Sequence, residues 1–152
     1  MNGVLRKLPI GIHDFEKLRK GDYLYVDKTT LVWRIANTGK AYLLTRPRRF
    51  GKSLLLSTFK AYFEGKKELF GGLAIAGMEK DWRKYPVLHL DLNVRKHDSS
   101  QALAEILSRQ LTQWELKYGK GEDEETLSGR FAGATRRASE QSGRGVVVLV
   151  DG

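Results

Sequence analysis

Apolar residues recur along this chain with two spacings, one typical of helices and one typical of buried strands. From Ser99 to Tyr118 they fall three and four positions apart, which predicts one face of an amphipathic helix. Between Gly145 and Asp151 five apolar residues follow one another, and most are β-branched. This run predicts a strand that is buried on both faces, as in parallel sheets. Because predicted strands alternate with predicted helices, the pattern favours an α/β fold.

Turn and capping residues mark the boundaries of the other predicted elements. Asp14 is expected to cap a short helix that Gly21 ends, and Thr29 or Thr30 to cap a second helix that stops at Gly39. The predicted helices cover residues 15–20, 29–37, 52–63, 99–118 and, with a less regular pattern, 122–142. The predicted strands cover residues 23–26, 41–44, 86–92 and 146–150.

The sequence TRPRRFGKSLL, at residues 45–55, lies between a predicted strand and a predicted helix. It ends like a phosphate-binding loop, G-x-x-x-x-G-K-[ST], whose usual context is a strand before it and a helix after it. Gly51, Lys52 and Ser53 fit this pattern, but Arg46 occupies the position of the first glycine.

Each part of this loop has a role in phosphate binding. Backbone N–H groups at the helix start point at the phosphates, Lys52 neutralises the β and γ oxygens, and Ser53 holds Mg²⁺. Gly51 lets the backbone pass close to the phosphate, and Pro47, which fixes φ, helps the chain to leave the strand without the first glycine. The predicted ATP and Mg²⁺ site comprises Arg46, Pro47, Arg48, Arg49, Phe50, Gly51, Lys52, Ser53 and Leu54. The alternative is a GKS sequence that occurs by chance in a basic loop.

A carboxylate at the end of another buried strand supports this site, because such a residue reaches Mg²⁺ in phosphate-binding-loop proteins. Asp151 ends the apolar run VVVLVD, and the sequence between Lys52 and Asp151 leaves room for two βα units. We therefore predict Ser53 and Asp151 on the magnesium side. Asp91, after VLHL, is an alternative candidate for this role. For Asp91 we favour the interpretation that it is a strand-end residue that caps a turn.

Composition restricts the class of protein. The 152 residues include no cysteine, which excludes disulfides and thiolate metal sites and fits a reducing, cytoplasmic setting. The N-terminal sequence lacks the apolar core of a secretory signal, and no apolar run approaches the roughly 20 residues of a membrane helix, so we expect no membrane association. The net charge of +9 has two interpretations. The basic side chains attract nucleotides and nucleic acid, or they are solvated surface residues without a binding role. Acidic residues 122–125 precede a predicted helix, whose dipole favours them.

Four segments together resemble the bacterial and archaeal AAA-ATPase-like family, a divergent P-loop branch that is often followed by a nuclease-like domain of the PD-(D/E)XK type. They are LPIGIHDFEKLRKGDYLYVDKT (8–29), LLTRPRRFGKSLLLSTFKAYFEGKKELFGGLAI (43–75), DWRKYPVLHLDLN (81–93) and VVVLVD (146–151). The loop RPRRFGKS is itself a hallmark of that family. The resemblance implies a three-layer α/β/α P-loop NTPase fold with a mainly parallel sheet. It also implies that Lys52 binds phosphate, Ser53 binds magnesium and Asp151 is the magnesium-side aspartate.

The resemblance further implies one P-loop domain over residues 1–152, with residues 1–40 as an N-terminal extension and 41–152 as the core. In the class of P-loop ATPases to which this family is similar, the sheet order is 5-1-4-3-2. Strands 1, 2 and 3 would then be residues 41–44, 86–92 and 146–150. Tyr25, Asp27 and Lys28 lie in a shared N-terminal motif, for which we favour a strand-to-helix turn that positions the core.

Members of the family typically continue past the strand-end aspartate with an acidic residue and further strands and helices. Here Gly152 follows Asp151 and is the last residue, so we expect the N-terminal part of a larger ATPase, with weak or no hydrolysis, no nuclease activity and no fourth strand. Such a chain is expected to be unstable alone, to form a homo-oligomer or to need the missing remainder. Three functions are open: an ATP- and Mg²⁺-binding domain, a non-hydrolysing fragment that acts by interaction, and a nucleic-acid-binding module that uses the basic surface.

Overall fold

The structure, a computed structural model, describes residues 5–38, 52–92 and 100–151, except for the side chains of Thr38 and Lys52. Its helices are α1 (Phe15–Lys20), α2 (Thr29–Thr38), α3 (Lys52–Phe63), α4 (Ser100–Tyr118) and α5 (Leu127–Ser142), and its strands are β1 (Val87–Asp91) and β2 (Val147–Asp151). Short 3₁₀ helices at Lys67–Phe70 and Ala74–Gly77 follow α3. The predicted mixture of helices and strands is confirmed. The predicted strand 41–44, loop residues 46–51 and Gly39 lie outside the described residues.

Contacts within the chain divide it into an N-terminal unit, residues 1–84, and a C-terminal unit, residues 85–152. In the N-terminal unit α1 packs against α3, and Phe15 at the start of α1 is fully buried. The centroid of its ring lies 4.9 Å from that of Phe70 and 5.3 Å from that of Tyr25. Leu55 and Phe59 of α3 are also buried. Removing these aromatic and aliphatic side chains from water stabilises the unit and fixes the position of α3.

The predicted boundaries of α1 and α3 are confirmed, and local contacts explain them. Asp14 caps α1, because its Oδ2 accepts the N–H of Lys17 at 3.0 Å. After the last residue of α3 the chain turns at Gly65, whose φ of +70° favours glycine. The N–H of Lys66 then donates to the carbonyl of Ala61 at 3.1 Å, so a carbonyl at the helix end is satisfied.

In the C-terminal unit β1 and β2 form a parallel two-stranded sheet. The register runs from Val87 opposite Val147 to Asp91 opposite Asp151. In the expected order 5-1-4-3-2 these strands are numbers 2 and 3, which are neighbours, so the observed pairing agrees with that part of the order. What the described residues show is a mixed α/β chain with a small parallel sheet.

A buried ion pair joins α4 to α5. The Nη2 atom of Arg130 lies 2.7 Å from Oε1 of Glu115, and the two side chains are only 12% and 7% exposed. Arg130 also donates to the hydroxyl of Ser108 at 2.8 Å and to that of Thr112 at 3.1 Å. Hydrogen bonds from Arg130 hold the pKa of Glu115 below its ordinary value, although burial acts to raise it. The guanidinium is therefore satisfied by a set of acceptors from one face of α4.

A second ion pair in this unit depends on two glycines. Arg137 binds both carboxylate oxygens of Glu124, at 2.8 and 2.7 Å. Hydrogen bonding from Arg137 lowers the pKa of Glu124 to about 2, against the opposing effect of burial. A Cβ atom at Gly133 or at Gly121 would overlap this carboxylate. Gly133 thus leaves room for the carboxylate of Glu124, which would have to shift if the residue carried a Cβ.

Two predicted elements are wrong in type or extent. Residues 23–26 do not form a strand, because Tyr25 packs on Phe15 and Leu24 donates one hydrogen bond to the carbonyl of Lys7, at 2.9 Å, in place of a ladder. Helix α5 begins at Leu127, so the predicted start at residue 122 is wrong, while the other prediction, that acidic residues 122–125 precede the helix, is confirmed. Thr126 caps it by accepting the N–H of Gly129 at 3.0 Å, so the acidic residues 122–125 precede the helix without forming its first turn.

The burial predicted for the last strand is also wrong. In β2 the side chains of Val148 and Val150 are 39% and 49% exposed, while Leu149 and Asp151 are buried. One face of the strand is therefore accessible in the described structure. The physical reason is that a strand is buried on both faces only where other elements cover both, and among the described residues the face of β2 that carries Val148 and Val150 is incompletely covered.

Candidate functional site

Lys52 and Ser53 are the first two residues of α3, so the helix begins within the GKS sequence. The predicted helix after the loop is confirmed. Residues 46–51 of the predicted site lie outside the described part of the chain, and Leu54 lies in the first turn of α3. Phosphate-binding sites use the N–H groups of the first turn of a helix, and the predicted loop is followed directly by such a helix start.

The first turns of α3 are fixed by polar bonds as well as by apolar contacts. The hydroxyl of Ser57 accepts the backbone N–H of Phe15 at 2.9 Å and donates to the carbonyl of Leu54 at 2.8 Å. The hydroxyl of Thr58 donates to the same carbonyl at 2.7 Å. Because Phe15 is fully buried, these bonds hold the start of α3 at a defined place beside α1.

Asp27 connects the start of α2 to the second 3₁₀ helix. Its Oδ1 accepts the N–H of Thr29 at 2.8 Å and the Thr29 hydroxyl at 2.5 Å, and its Oδ2 accepts the N–H of Ala74 at 2.8 Å. Burial opposes ionisation of Asp27, but these hydrogen bonds outweigh it and lower its pKa. The predicted cap at Thr29 or Thr30 is therefore corrected to Asp27, because the aspartate reaches the first N–H of the helix. The interpretation of this motif as a strand-to-helix turn is wrong in one part, because residues 23–26 form no strand, while the bonds of Asp27 to Thr29 and Ala74 agree with a turn that positions neighbouring elements.

We expect Asp27→Ala to lower the free energy of unfolding by about 2 kcal/mol, the upper value for loss of a helix cap, because the N–H of Ala74 loses its acceptor as well. Urea unfolding followed by circular dichroism measures the change. Asp81→Ala is the matched control, since the Asp81 side chain is 69% exposed and lies 3.9 Å from Arg83. Equal unfolding midpoints for the two variants would contradict the structural role of Asp27.

Asp91 and Asp151 end β1 and β2 and lie opposite each other in the parallel register. Partners in a parallel pair have their side chains on the same face of the sheet, so both carboxylates belong to one corner of its carboxyl edge. Asp151 is 6% exposed, whereas Asp91 is exposed. Gln110 of α4 binds the backbone of Asp91 on both sides, donating to its carbonyl at 2.8 Å and accepting its N–H at 3.2 Å. Asp91 and Asp151, the two candidates for the magnesium-side aspartate, are thus partners in the register of the sheet.

A model of the family described as Predicted AAA-ATPase matches residues 9–152. The chain belongs to this family. It is also 40% identical over 148 residues to a protein of Azotobacter chroococcum mcd 1 described as "Uncharacterized protein in vnfD 5'region". That match covers 96% of this chain and 28% of the relative, so the chain spans less than a third of the relative's length. No solved structure matches the chain.

Membership of the AAA-ATPase family confirms the resemblance predicted from the four segments and supports nucleotide binding in general terms. Ser53 belongs to the N-terminal unit and Asp151 to the C-terminal unit. Within residues 5–38, 52–92 and 100–151, acidic and histidine side chains form no group of three that could hold a metal ion. In the same residues, none of the helices combines the length and the apolar composition that a bilayer crossing requires.

Sequence reasoning missed several residues that position this region. Ser57 has no motif that distinguishes it from other helix residues, and Gln110 is one polar residue among many on α4. The one usable signal was Asp27, two positions before a threonine at a predicted helix start, which is the pattern of a side-chain cap. Its second bond, to the N–H of Ala74, spans 47 positions and has no local signal.

Proposed function

We propose that this chain binds ATP with Mg²⁺ at residues 46–54, as the nucleotide-binding part of an ATPase. The observation that carries the proposal is the start of α3 at Lys52, which follows the loop RPRRFG directly in a member of the AAA-ATPase family. A helix that starts inside a GKS sequence supplies backbone donors and a lysine at the same place. Activity of the longer protein, including hydrolysis, belongs to the same proposal, because the chain spans only part of its relative.

The donor atoms available fit magnesium better than a soft metal. The chain contains no cysteine, and the proposed ligands are the hydroxyl of Ser53 and, through water, the carboxylate of Asp151. Magnesium, when bound, neutralises charge on the phosphate oxygens. Most of its remaining ligands come from phosphate and water, so a site of this kind needs few protein oxygens. Lys52 binds the β and γ phosphates, and the first N–H groups of α3 orient them.

The basic composition gives less support to the alternative of a nucleic-acid-binding module. Arg130 and Arg137 of α5 are engaged by carboxylates within the C-terminal unit. Arg19 donates to the carbonyls of Leu69 and Gly71 at 2.8 and 2.6 Å. These arginines hold the fold together, whereas phosphate-backbone contacts need cations that point outward. These three arginines therefore give no support to the nucleic-acid alternative, whereas family membership and the start of α3 at Lys52 support the proposal of ATP binding.

We expect Lys52→Ala to weaken ATP binding by about 1.5–3 kcal/mol, the range for hydrogen bonds to charged groups, since the charge opposite the β and γ phosphates is lost. Isothermal titration of the whole chain with ATP and Mg²⁺ measures the change. Lys60→Ala, in the last turn of the same helix, is the control and should bind like the parent.

The two aspartates provide a second comparison within this experiment. Asp151→Asn should reduce the Mg²⁺-dependent part of ATP affinity, whereas Asp91→Asn should leave it nearly unchanged. If Lys52→Ala binds ATP as tightly as Lys60→Ala, the assignment of the phosphate site is wrong. If Asp91→Asn has the larger effect, the magnesium-side aspartate is Asp91.

A further inference from the structure

Hydrogen bonds at the end of β1 hold the carboxyl edge of the two-stranded sheet. The N–H of Leu92, the residue after β1, donates to the carbonyl of Asp151 at 2.6 Å. Gln110 of α4 donates to the carbonyl of Asp91 at 2.8 Å and accepts the N–H of Asp91 at 3.2 Å. Asp151 is the last residue of β2, so the end of β1 determines where the backbone of Asp151 lies.

A glutamine side chain is suited to this place because its amide carries a donor and an acceptor on one planar group, as a backbone peptide does. Backbone groups of successive strand residues point to opposite edges, so those of Asp91 face away from β2 while the N–H of Leu92 faces it. Gln110 therefore takes, at the outer edge of β1, the place of a residue in a neighbouring strand. The residue after it, Leu111, is 2% exposed and anchors this part of α4.

We propose that Gln110 is a positioning residue for the magnesium-side carboxylate of Asp151, an inference that rests on the proposed function. Gln110 acts through the strand: its amide fixes the backbone of Asp91, and Leu92 then presents its N–H to the carbonyl of Asp151. A group in a binding site has to be held to within roughly 0.5 Å by residues that are themselves fixed by packing and hydrogen bonds. Loss of the Gln110 amide frees the end of β1 and, with it, the backbone that carries the Asp151 side chain.

Amide hydrogen exchange in the nucleotide-free chain tests the mechanical part of this inference. Gln110→Met removes both hydrogen bonds and keeps a long, unbranched side chain with a good helix propensity. We expect the N–H of Leu92 to exchange about fivefold faster, the factor that one ordinary hydrogen bond represents, as measured by NMR. At the opposite end of the sheet the N–H of Val147 donates to the carbonyl of Pro86 at 2.9 Å and should exchange as in the parent. Gln113→Met is the control, because Gln113 is an exposed residue of the same helix.

Isothermal titration of the whole chain with ATP, in the presence and absence of Mg²⁺, tests the link to the proposed site. In Gln110→Met the factor by which Mg²⁺ raises ATP affinity should fall about fivefold, while ATP affinity without Mg²⁺ stays within about twofold of the parent. A loss of folded protein lowers both affinities and cannot produce this result. In an Asp151→Asn background, Gln110→Met should change the factor by less than about twofold, because the carboxylate through which Gln110 acts is absent. Gln110→Ala is a second variant that lacks the amide, and circular dichroism confirms that each variant folds.

The outcomes separate this inference from the proposed function. Faster exchange at Leu92 but not at Val147, together with a smaller magnesium factor that Asp151→Asn makes insensitive to Gln110, supports the inference. Three results overturn it and leave the proposed function intact: Leu92 exchanges as in the parent or no faster than Val147 does, the magnesium factor is unchanged in both Gln110 variants although Asp151→Asn lowers it, or Gln110→Met has equal effects in both backgrounds. If Mg²⁺ does not raise the ATP affinity of the parent, or Asp151→Asn leaves that factor unchanged, the magnesium side of the proposed function fails and the inference fails with it.

Discussion

Replacing Glu115 by alanine is expected to lower the free energy of unfolding by about 3 kcal/mol, the lower end of the range for breaking a buried ion pair. The substitution leaves the Arg130 guanidinium buried without its carboxylate, and the hydroxyls of Ser108 and Thr112 replace only part of that interaction. Urea unfolding followed by circular dichroism measures the change. Glu140→Ala is the control. The Glu140 side chain is 68% exposed and lies 4.0 Å from Arg136 in a surface ion pair within α5.

A rescue variant distinguishes the uncompensated charge from a simple loss of packing. Glu115→Leu combined with Arg130→Met removes both charges and keeps similar volume, so it should be at least as stable as Glu115→Ala and close to the parent. The dependence of the free energy of unfolding on pH provides a further check on the role of Glu115. Because the folded-state pKa of Glu115 is depressed below 4.5, its stabilising contribution is complete above that pH and is lost as the pH falls below it. If Glu115→Ala and Glu140→Ala unfold at the same urea concentration, the pair does not stabilise the fold.

Gly133→Ala is expected to destabilise the chain by about 2 kcal/mol, because about 3 kcal/mol of overpacking is only partly offset by the helix propensity of alanine, which is about 1 kcal/mol better than that of glycine. The added Cβ would overlap the carboxylate of Glu124 and displace it from Arg137. The change in the free energy of unfolding should have the opposite sign when the Glu124 carboxylate is absent. In a Glu124→Ala background, Gly133→Ala should stabilise the chain by about 1 kcal/mol, the difference in helix propensity.

The four chains of this double-mutant cycle are compared by urea unfolding under one condition. A destabilising Gly133→Ala in both backgrounds would mean that the strain comes from the backbone of α5 and not from Glu124. A stabilising effect in both would show that the carboxylate moves aside at little cost. Only the reversal of sign fits the observed overlap.

The elements that were predicted correctly have local signals. Asp14 and Gly21 enclose α1, and the helical spacing from residue 99 to Tyr118 closely matches α4. The GKS sequence placed the start of α3 because the motif and the helix are contiguous. These signals depend on neighbouring residues, so one sequence is enough to read them.

The features that sequence reasoning missed depend on residues far apart in the chain. Gly133 is unfavourable for a helix by propensity, and only the packing of Glu124 beside α5 explains why it is tolerated there. Charged residues at positions 115 and 130 look like ordinary surface positions until α4 packs on α5. The exposure of Val148 and Val150 could not be predicted for a related reason, since an apolar run shows that a strand can be buried and does not show which elements cover each of its faces.

The polar bonds of the N-terminal unit also determine when that unit can fold during synthesis. The bond from Phe15 to Ser57 closes 42 positions, that from Arg19 to Leu69 closes 50, and that from Ala74 to Asp27 closes 47. Contacts of such separation carry a loop-closure cost and form late. A ribosome that adds 5–20 residues per second needs roughly 2.5–10 s to make 50 residues. For that time α1 has left the ribosome without the residues that bury Phe15, so its apolar side chains are available to chaperones on the nascent chain.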